Sequence, residues 1–87
     1  MLKFKGGGGD SKAQRSSLPK DMATSLAEQF SSLHGQDLGG FTYEQRRSAQ
    51  TGARFDISIY DAAGALRYEG RKFDGAQSIS FWKPEAE

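Results

Sequence analysis

The residues of this 87-residue chain that could take part in catalysis are few. It contains no cysteine and a single histidine, so the usual nucleophile–base pairs of covalent catalysis are nearly excluded. His34 falls in the last turn of a predicted helix, with no carboxylate or second histidine at ligand spacing, and we interpret it as a capping residue. The sequence therefore predicts neither a metal site nor a cofactor.

Carboxylates are the remaining route to catalysis. Asp56 and Glu69 are expected on facing strands, where a pair of acids can in principle perform acid–base chemistry on a sugar. That chemistry needs a cleft that raises the pKa of one acid, whereas these acids are expected on an open surface beside Arg54, Arg67 or Arg71. The pair is therefore interpreted as screened by arginine, and the chain is predicted not to be an enzyme.

A second group of residues suits binding better than catalysis. Tryptophan, tyrosine and arginine are enriched where proteins contact other proteins, and the same side chains stack on bases and pair with phosphates. Residues of these types are predicted to share one face of a β-sheet. The candidate binding residues are Trp82, Phe73, Tyr60, Arg46, Arg67 and Arg71.

The element that must position these side chains is a β-hairpin predicted over residues 53–73. Apolar and polar residues alternate before and after a turn at residues 61–64, which is the pattern of strands with one buried face. Aspartate and glycine within the turn suit its backbone. The apolar residues predicted on the buried side of the hairpin are Phe55, Ile57, Ile59, Leu66 and Tyr68.

The length of the turn decides the register of the hairpin. A four-residue loop pairs Ile59 with Leu66 and keeps apolar residues on one face, whereas a three-residue loop would mix them with charged residues. The four-residue loop is therefore predicted. It places Asp56 opposite Glu69, which is unfavourable unless an arginine lies diagonally.

The rest of the folded part consists of a helix and two further strands. Apolar spacing predicts an amphipathic helix over residues 18–34, a strand over residues 41–46 and a last strand over residues 78–83. In the last strand, Phe81 is predicted to lie over Gly70, which leaves room for the ring. The predicted core is Met22, Leu26, Phe30, Leu33, Phe41, Tyr43, Phe55, Ile57, Ile59, Leu66, Tyr68, Ile79 and Phe81.

Composition divides the chain into three parts. Residues 1–17 contain four basic residues against one acidic residue and are predicted to be a flexible glycine-rich basic arm. Residues 18–84 are predicted to form a single small domain, followed by an acidic tail over residues 85–87. The glycines at 6–9 lack the Gly-Lys-Ser/Thr of a phosphate loop, and an additional short strand over residues 1–5 stays open.

These elements predict an α+β fold with one N-terminal helix packed on a four-stranded antiparallel β-meander. A single helix covers one face of the sheet, so the candidate binding residues are expected on the uncovered face. No apolar run in the sequence is long enough for a membrane span or a signal-peptide core, and a cytoplasmic location is expected.

The function predicted from this face is binding. The first interpretation is a small regulatory module that contacts another protein or forms a homodimer. The alternative is a protein that binds single-stranded nucleic acid, with bases stacked on Tyr60, Phe73 and Trp82 and arginines near phosphates. A third interpretation is that this face binds nothing and is exposed to solvent, with its arginines paired to acids across strands.

Overall fold

The computed structural model describes residues 15–84, so the predicted acidic tail and most of the predicted arm lie outside it. Within this range the fold is α+β, as predicted, with a five-stranded antiparallel sheet whose strands are neighbours in the order in which they occur along the chain. The elements are β1 (Ser16–Ser17), α1 (Lys20–Gln29), a 3-10 turn (Ser31–Leu33), β2 (Thr42–Arg47), β3 (Ala53–Tyr60), β4 (Leu66–Phe73) and β5 (Ser80–Trp82).

The short strand β1 lies in the segment expected to be a flexible arm. Ser16 and Ser17 pair with Tyr43 and Thr42 of β2, which adds a fifth strand at the edge of the predicted meander. The strand considered over residues 1–5 falls outside the described residues. The additional N-terminal strand of the described structure is therefore this two-residue element.

The helix α1 is shorter than the predicted helix over residues 18–34. It ends at Gln29 because Phe30 adopts an extended backbone, with φ −131° and ψ 98°. This conformation accompanies the packing of the Phe30 ring on Tyr68, with ring centroids 4.8 Å apart. The 3-10 turn follows, and Gly35 after it takes a positive φ of +80°.

The core lies between α1 and one face of the sheet. Leu26 of the helix and Ile57 and Ile59 of β3 are completely shielded from solvent. With one exception, the predicted core residues are buried or packed partly buried against this cluster. The exception is Leu66, which is 40% exposed. Leu38 is buried although it is absent from the predicted core.

The predicted hairpin register is wrong, and the loop and a β-bulge are the reasons. Ile59 pairs with Tyr68 rather than with Leu66. Leu66 pairs with Tyr60, which leaves Arg67 as an extra residue between the two pairs. The pairing of Tyr60 with Leu66 is the one that the rejected three-residue loop gives, and the backbone N–H of Asp61 donates to the Ala65 carbonyl at 2.9 Å. The bulge then restores the apolar pairing of Ile59 with Tyr68 and leaves Leu66 on the face that α1 does not cover.

Hydrogen bonds to one aspartate stabilise this loop. The Asp61 carboxylate oxygen Oδ1 accepts the backbone N–H groups of Ala63 and Ala65, both at 3.0 Å. Gly64 provides the positive φ that the turn needs, at +89°. The bond from Ala65 and a weaker one from the Arg67 side chain lower the pKa of Asp61, so the loop favours the charged carboxylate.

The pairing of β4 with β5 confirms the prediction that Phe81 lies over Gly70. The two residues are register partners, and Phe81 is 8% exposed. A Cβ atom at position 70 would lie 2.7 Å from a ring carbon of Phe81 and 3.0 Å from a methyl carbon of Ile79. Glycine at this position therefore lets the aromatic ring reach the core.

Candidate binding face

The side of the sheet away from α1, here called the bare face, presents the most exposed apolar side chains. Among the described residues, three large hydrophobic side chains are more than a third exposed: Leu66 at 40%, Phe73 at 39% and Trp82 at 36%. Leu66 lies opposite Tyr60, Trp82 lies opposite Glu69, and Phe73 follows Arg71 by two residues along β4. By strand alternation, all three belong to the bare face.

Arg71 and Asp56 form the shortest ion pair of this face. Arg71 Nε donates to Asp56 Oδ1 at 2.7 Å and its Nη2 donates to Oδ2 at 3.3 Å. The predicted opposition of Asp56 and Glu69 is wrong, because the register is shifted by two residues on β4. The hydrogen bonds from Arg71 lower the pKa of Asp56, and the same contact raises the pKa of Arg71.

Trp82 also has a polar partner on the bare face. Its indole Nε1–H donates to Glu69 Oε1 at 3.1 Å, and the Arg71 guanidinium carbon lies 5.6 Å from the centroid of its ring. The indole is therefore oriented by one hydrogen bond and one cation–π contact. Its ring still reaches solvent, which leaves it available to a binding partner.

Arg46 lies on the opposite side of a small cleft from Trp82. Arg46 Nη1 donates to the hydroxyl oxygen of Ser58 at 3.0 Å, and this hydroxyl is buried although it belongs to the bare face. The cleft has a volume of about 120 Å³ and is lined by Arg46, Asp56, Ile57, Glu69, Gly70, Arg71 and Trp82. The structure thus brings together three of the predicted binding residues, Arg46, Arg71 and Trp82.

Tyr60 lies in a separate cluster that includes a residue missed by the sequence analysis. Its hydroxyl donates to Glu44 Oε1 at 3.0 Å. The guanidinium carbon of Arg15 lies 3.5 Å from the centroid of the Tyr60 ring, and Arg15 Nε donates to Glu44 Oε2 at 3.4 Å. Arg15 was assigned to the predicted arm because a two-residue strand leaves no periodic signal in a sequence.

The two remaining candidates lie away from both clusters. Arg67 occupies the bulge beside the hairpin loop, where Nη1 donates to Asp61 Oδ2 at 3.2 Å. Phe73 ends β4, opposite Ala53. It is seven residues from Leu66 at the other end of the strand, a separation of roughly 23 Å at about 3.3 Å per residue. The predicted binding residues therefore do not form one continuous stacking surface.

Residues 15–84 contain neither a metal-binding group nor a membrane-spanning helix. In this range no three His, Cys, Asp or Glu side chains lie together as a metal-binding group. His34 is exposed and follows the 3-10 turn, where its backbone N–H donates to the Ser31 carbonyl at 3.0 Å. No helix in the described part of the chain is long and apolar enough to cross a membrane.

Comparison with known proteins adds no relative: the chain matches no protein-family model, no curated protein and no solved structure. The contacts, charges and exposure of the bare face are therefore the basis for a proposed function.

Proposed function

We propose that this chain is a small, non-enzymatic binding module that contacts another protein, or a second copy of itself, through the bare face. The observation that carries the proposal is the placement of Leu66, Phe73 and Trp82 on that face. Covering apolar surface is favourable by about 25 cal/mol per Å², so a partner that packs on these side chains gains free energy. A cytoplasmic location is part of the same proposal.

The charges of the bare face support a protein partner. An unpaired charge is costly to bury, whereas a charge that already has a partner can be covered with less loss. The described acids of this face each have a partner within the chain. These pairs are Glu44 with Arg15, Asp56 with Arg71, and Glu69 with the indole of Trp82.

The nucleic-acid alternative has less support from the geometry. Binding to single strands relies on accessible aromatic faces and on basic groups that are available to phosphates. One side of the Tyr60 ring is covered by Arg15, and Arg71 is committed to Asp56. Trp82 and Arg46 remain the best candidates for a stacking and phosphate-binding pair in this alternative.

Trp82 provides a direct test of self-association because it is the single tryptophan of the chain. We expect its emission to shift to the red on dilution as the bare face becomes solvated, together with a fall in the mass measured by sedimentation. Trp82→Ala should weaken the association by about tenfold or more, as expected of a hot-spot residue, and leave cooperative unfolding intact. Thr24→Ala, at an exposed position of α1, is the matched control and should change neither property.

Three outcomes would argue against this proposal or redirect it. If Trp82→Ala abolishes cooperative unfolding, Trp82 belongs to the core and the face assignment is wrong. If the wild-type protein stays monomeric at every concentration, self-association is excluded and the proposed partner is a different protein. Nucleic-acid binding would be favoured if a single-stranded oligonucleotide quenches the emission of Trp82 and the quenching fades between about 50 and 200 mM salt. In that case Arg46→Ala, Arg67→Ala or Arg71→Ala should reduce the quenching.

A further inference from the structure

The last residue of α1 is hydrogen-bonded to the outer edge of the sheet. The Gln29 side-chain oxygen Oε1 accepts the backbone N–H of Phe81 at 3.0 Å, and Nε2 donates to the backbone carbonyl of Ile79 at 2.8 Å. A third, longer contact joins Nε2 to the hydroxyl oxygen of Ser25 one turn earlier, at 3.4 Å. The carboxamide is therefore oriented from the helix and bound to the strand at two points.

These two bonds reproduce the pairing of an additional strand. β5 pairs with β4 along one edge, so the N–H of Phe81 and the C=O of Ile79 mark its other edge, on either side of Ser80. In a parallel ladder, one residue of the neighbouring strand donates its N–H to a carbonyl in the position of Ile79 and accepts the N–H of the residue two positions later, in the position of Phe81. The amide of Gln29 makes that donor–acceptor pair, opposite Ser80.

The stretch of this edge around Ser80 carries no charge of its own. An unpaired strand edge is a template for pairing with another chain, and proteins commonly protect it with a short strand, charged side chains or proline. β5 has three residues and is followed directly by Lys83 and Pro84, but none of Ser80–Trp82 is charged or proline. At the opposite edge of the sheet, by contrast, β2 continues beyond the two-residue β1 with Arg46 and Arg47.

We propose that Gln29 is an edge cap: its carboxamide occupies the outer edge of β5 and prevents that edge from pairing with β5 of a second copy of this chain. A second copy is the expected occupant because an uncharged strand meets no repulsion from an identical strand. The glutamine carboxamide both donates and accepts, so it satisfies the Ile79 carbonyl and the Phe81 N–H at the same time. This surface is separate from the bare face and does not depend on the proposed function.

The test removes the carboxamide and follows one amide proton. In dilute Gln29→Ala, we expect the Phe81 backbone N–H to exchange with solvent about fivefold faster than in the wild type, because it loses a hydrogen bond of ordinary strength. As concentration rises, sedimentation should show an increase in mass beyond that of the wild type at the same concentration, and protection of the Phe81 N–H should return as edges pair.

Two variants serve as controls. Gln36→Ala removes a similar amide, whose Nε2 donates to the Ser32 carbonyl at 2.7 Å away from β5, and should leave Phe81 exchange and mass unchanged. Gln29→Glu keeps an acceptor for the Phe81 N–H but adds a negative charge to the edge. It should retain protection of Phe81 and should not gain mass.

The edge cap is overturned if Gln29→Ala exchanges and sediments like the wild type. Faster exchange without any increase in mass would also overturn it, since Gln29 would then only join the helix to the strand. Should Gln29→Ala fail to fold, Ser25→Ala loosens the same amide without touching β5 and should shift exchange in the same direction. Repeating the measurements with Phe73→Ala separates this edge from association through the bare face.

Discussion

Arg71 and Asp56 lie directly opposite each other on β4 and β3 and form a two-point ion pair, with Arg71 Nε 2.7 Å from Asp56 Oδ1. The pair exists because the register of β4 differs by two residues from the predicted one: the loop accounts for one residue and the bulge at Arg67 for the other. Without that shift, Glu69 would face Asp56 and two like charges would meet on the bare face. The loop and the bulge together therefore set the electrostatics of the proposed binding surface.

The ion pair predicts a pH-dependent contribution to stability. The pKa of Asp56 is lowered in the folded protein, so its stabilisation is present above the unfolded value of about 3.9 and is lost as pH falls through the folded value. Asp56→Ala should therefore lower the free energy of unfolding by about 0.5–1 kcal/mol at neutral pH and by less at about pH 2. Urea unfolding at both pH values measures the difference.

The control for this prediction is Asp74→Ala, which removes an exposed carboxylate from the turn between β4 and β5. Its effect on the free energy of unfolding should be small at both pH values. If the loss caused by Asp56→Ala is the same at acidic and neutral pH, the ion pair contributes no net stability.

The close contact at Gly70 predicts a destabilising substitution. Gly70→Ala introduces a Cβ atom within 2.7 Å of the Phe81 ring, which must shift to accommodate it. We expect a loss of about 1–3 kcal/mol in the free energy of unfolding, measured by urea denaturation. Phe81→Leu removes part of the ring volume, so the double variant should lose less than the sum of the two single variants. Strict additivity would contradict the contact.

The register of the hairpin is tested by two neighbouring apolar residues. Tyr68 is 2% exposed and Leu66 is 40% exposed. Tyr68→Ala should therefore cost about 3 kcal/mol or more of unfolding free energy, whereas Leu66→Ala should cost less than about 1 kcal/mol. A large loss on both substitutions would support the register without a bulge, in which both side chains face the core.

Two features explain how far the sequence could predict the candidate site. Alternation along β3 and β5 placed Tyr60 and Trp82 on the face away from α1, because alternate residues of a strand point to opposite sides. The same reasoning failed at Leu66, where a single extra residue reverses the alternation. Bulges depend on loop hydrogen bonds such as those of Asp61, which a period-two pattern does not reveal.

Residue type and spacing were enough to predict the α+β class, most of the core and the space that Gly70 leaves for Phe81, because both act locally along the chain. The contact of Arg15 with Tyr60 and the bonds from Gln29 to β5 could not be predicted in this way. These contacts join residues 45 to 52 positions apart, so they form only when the whole sheet has set the distances between its elements.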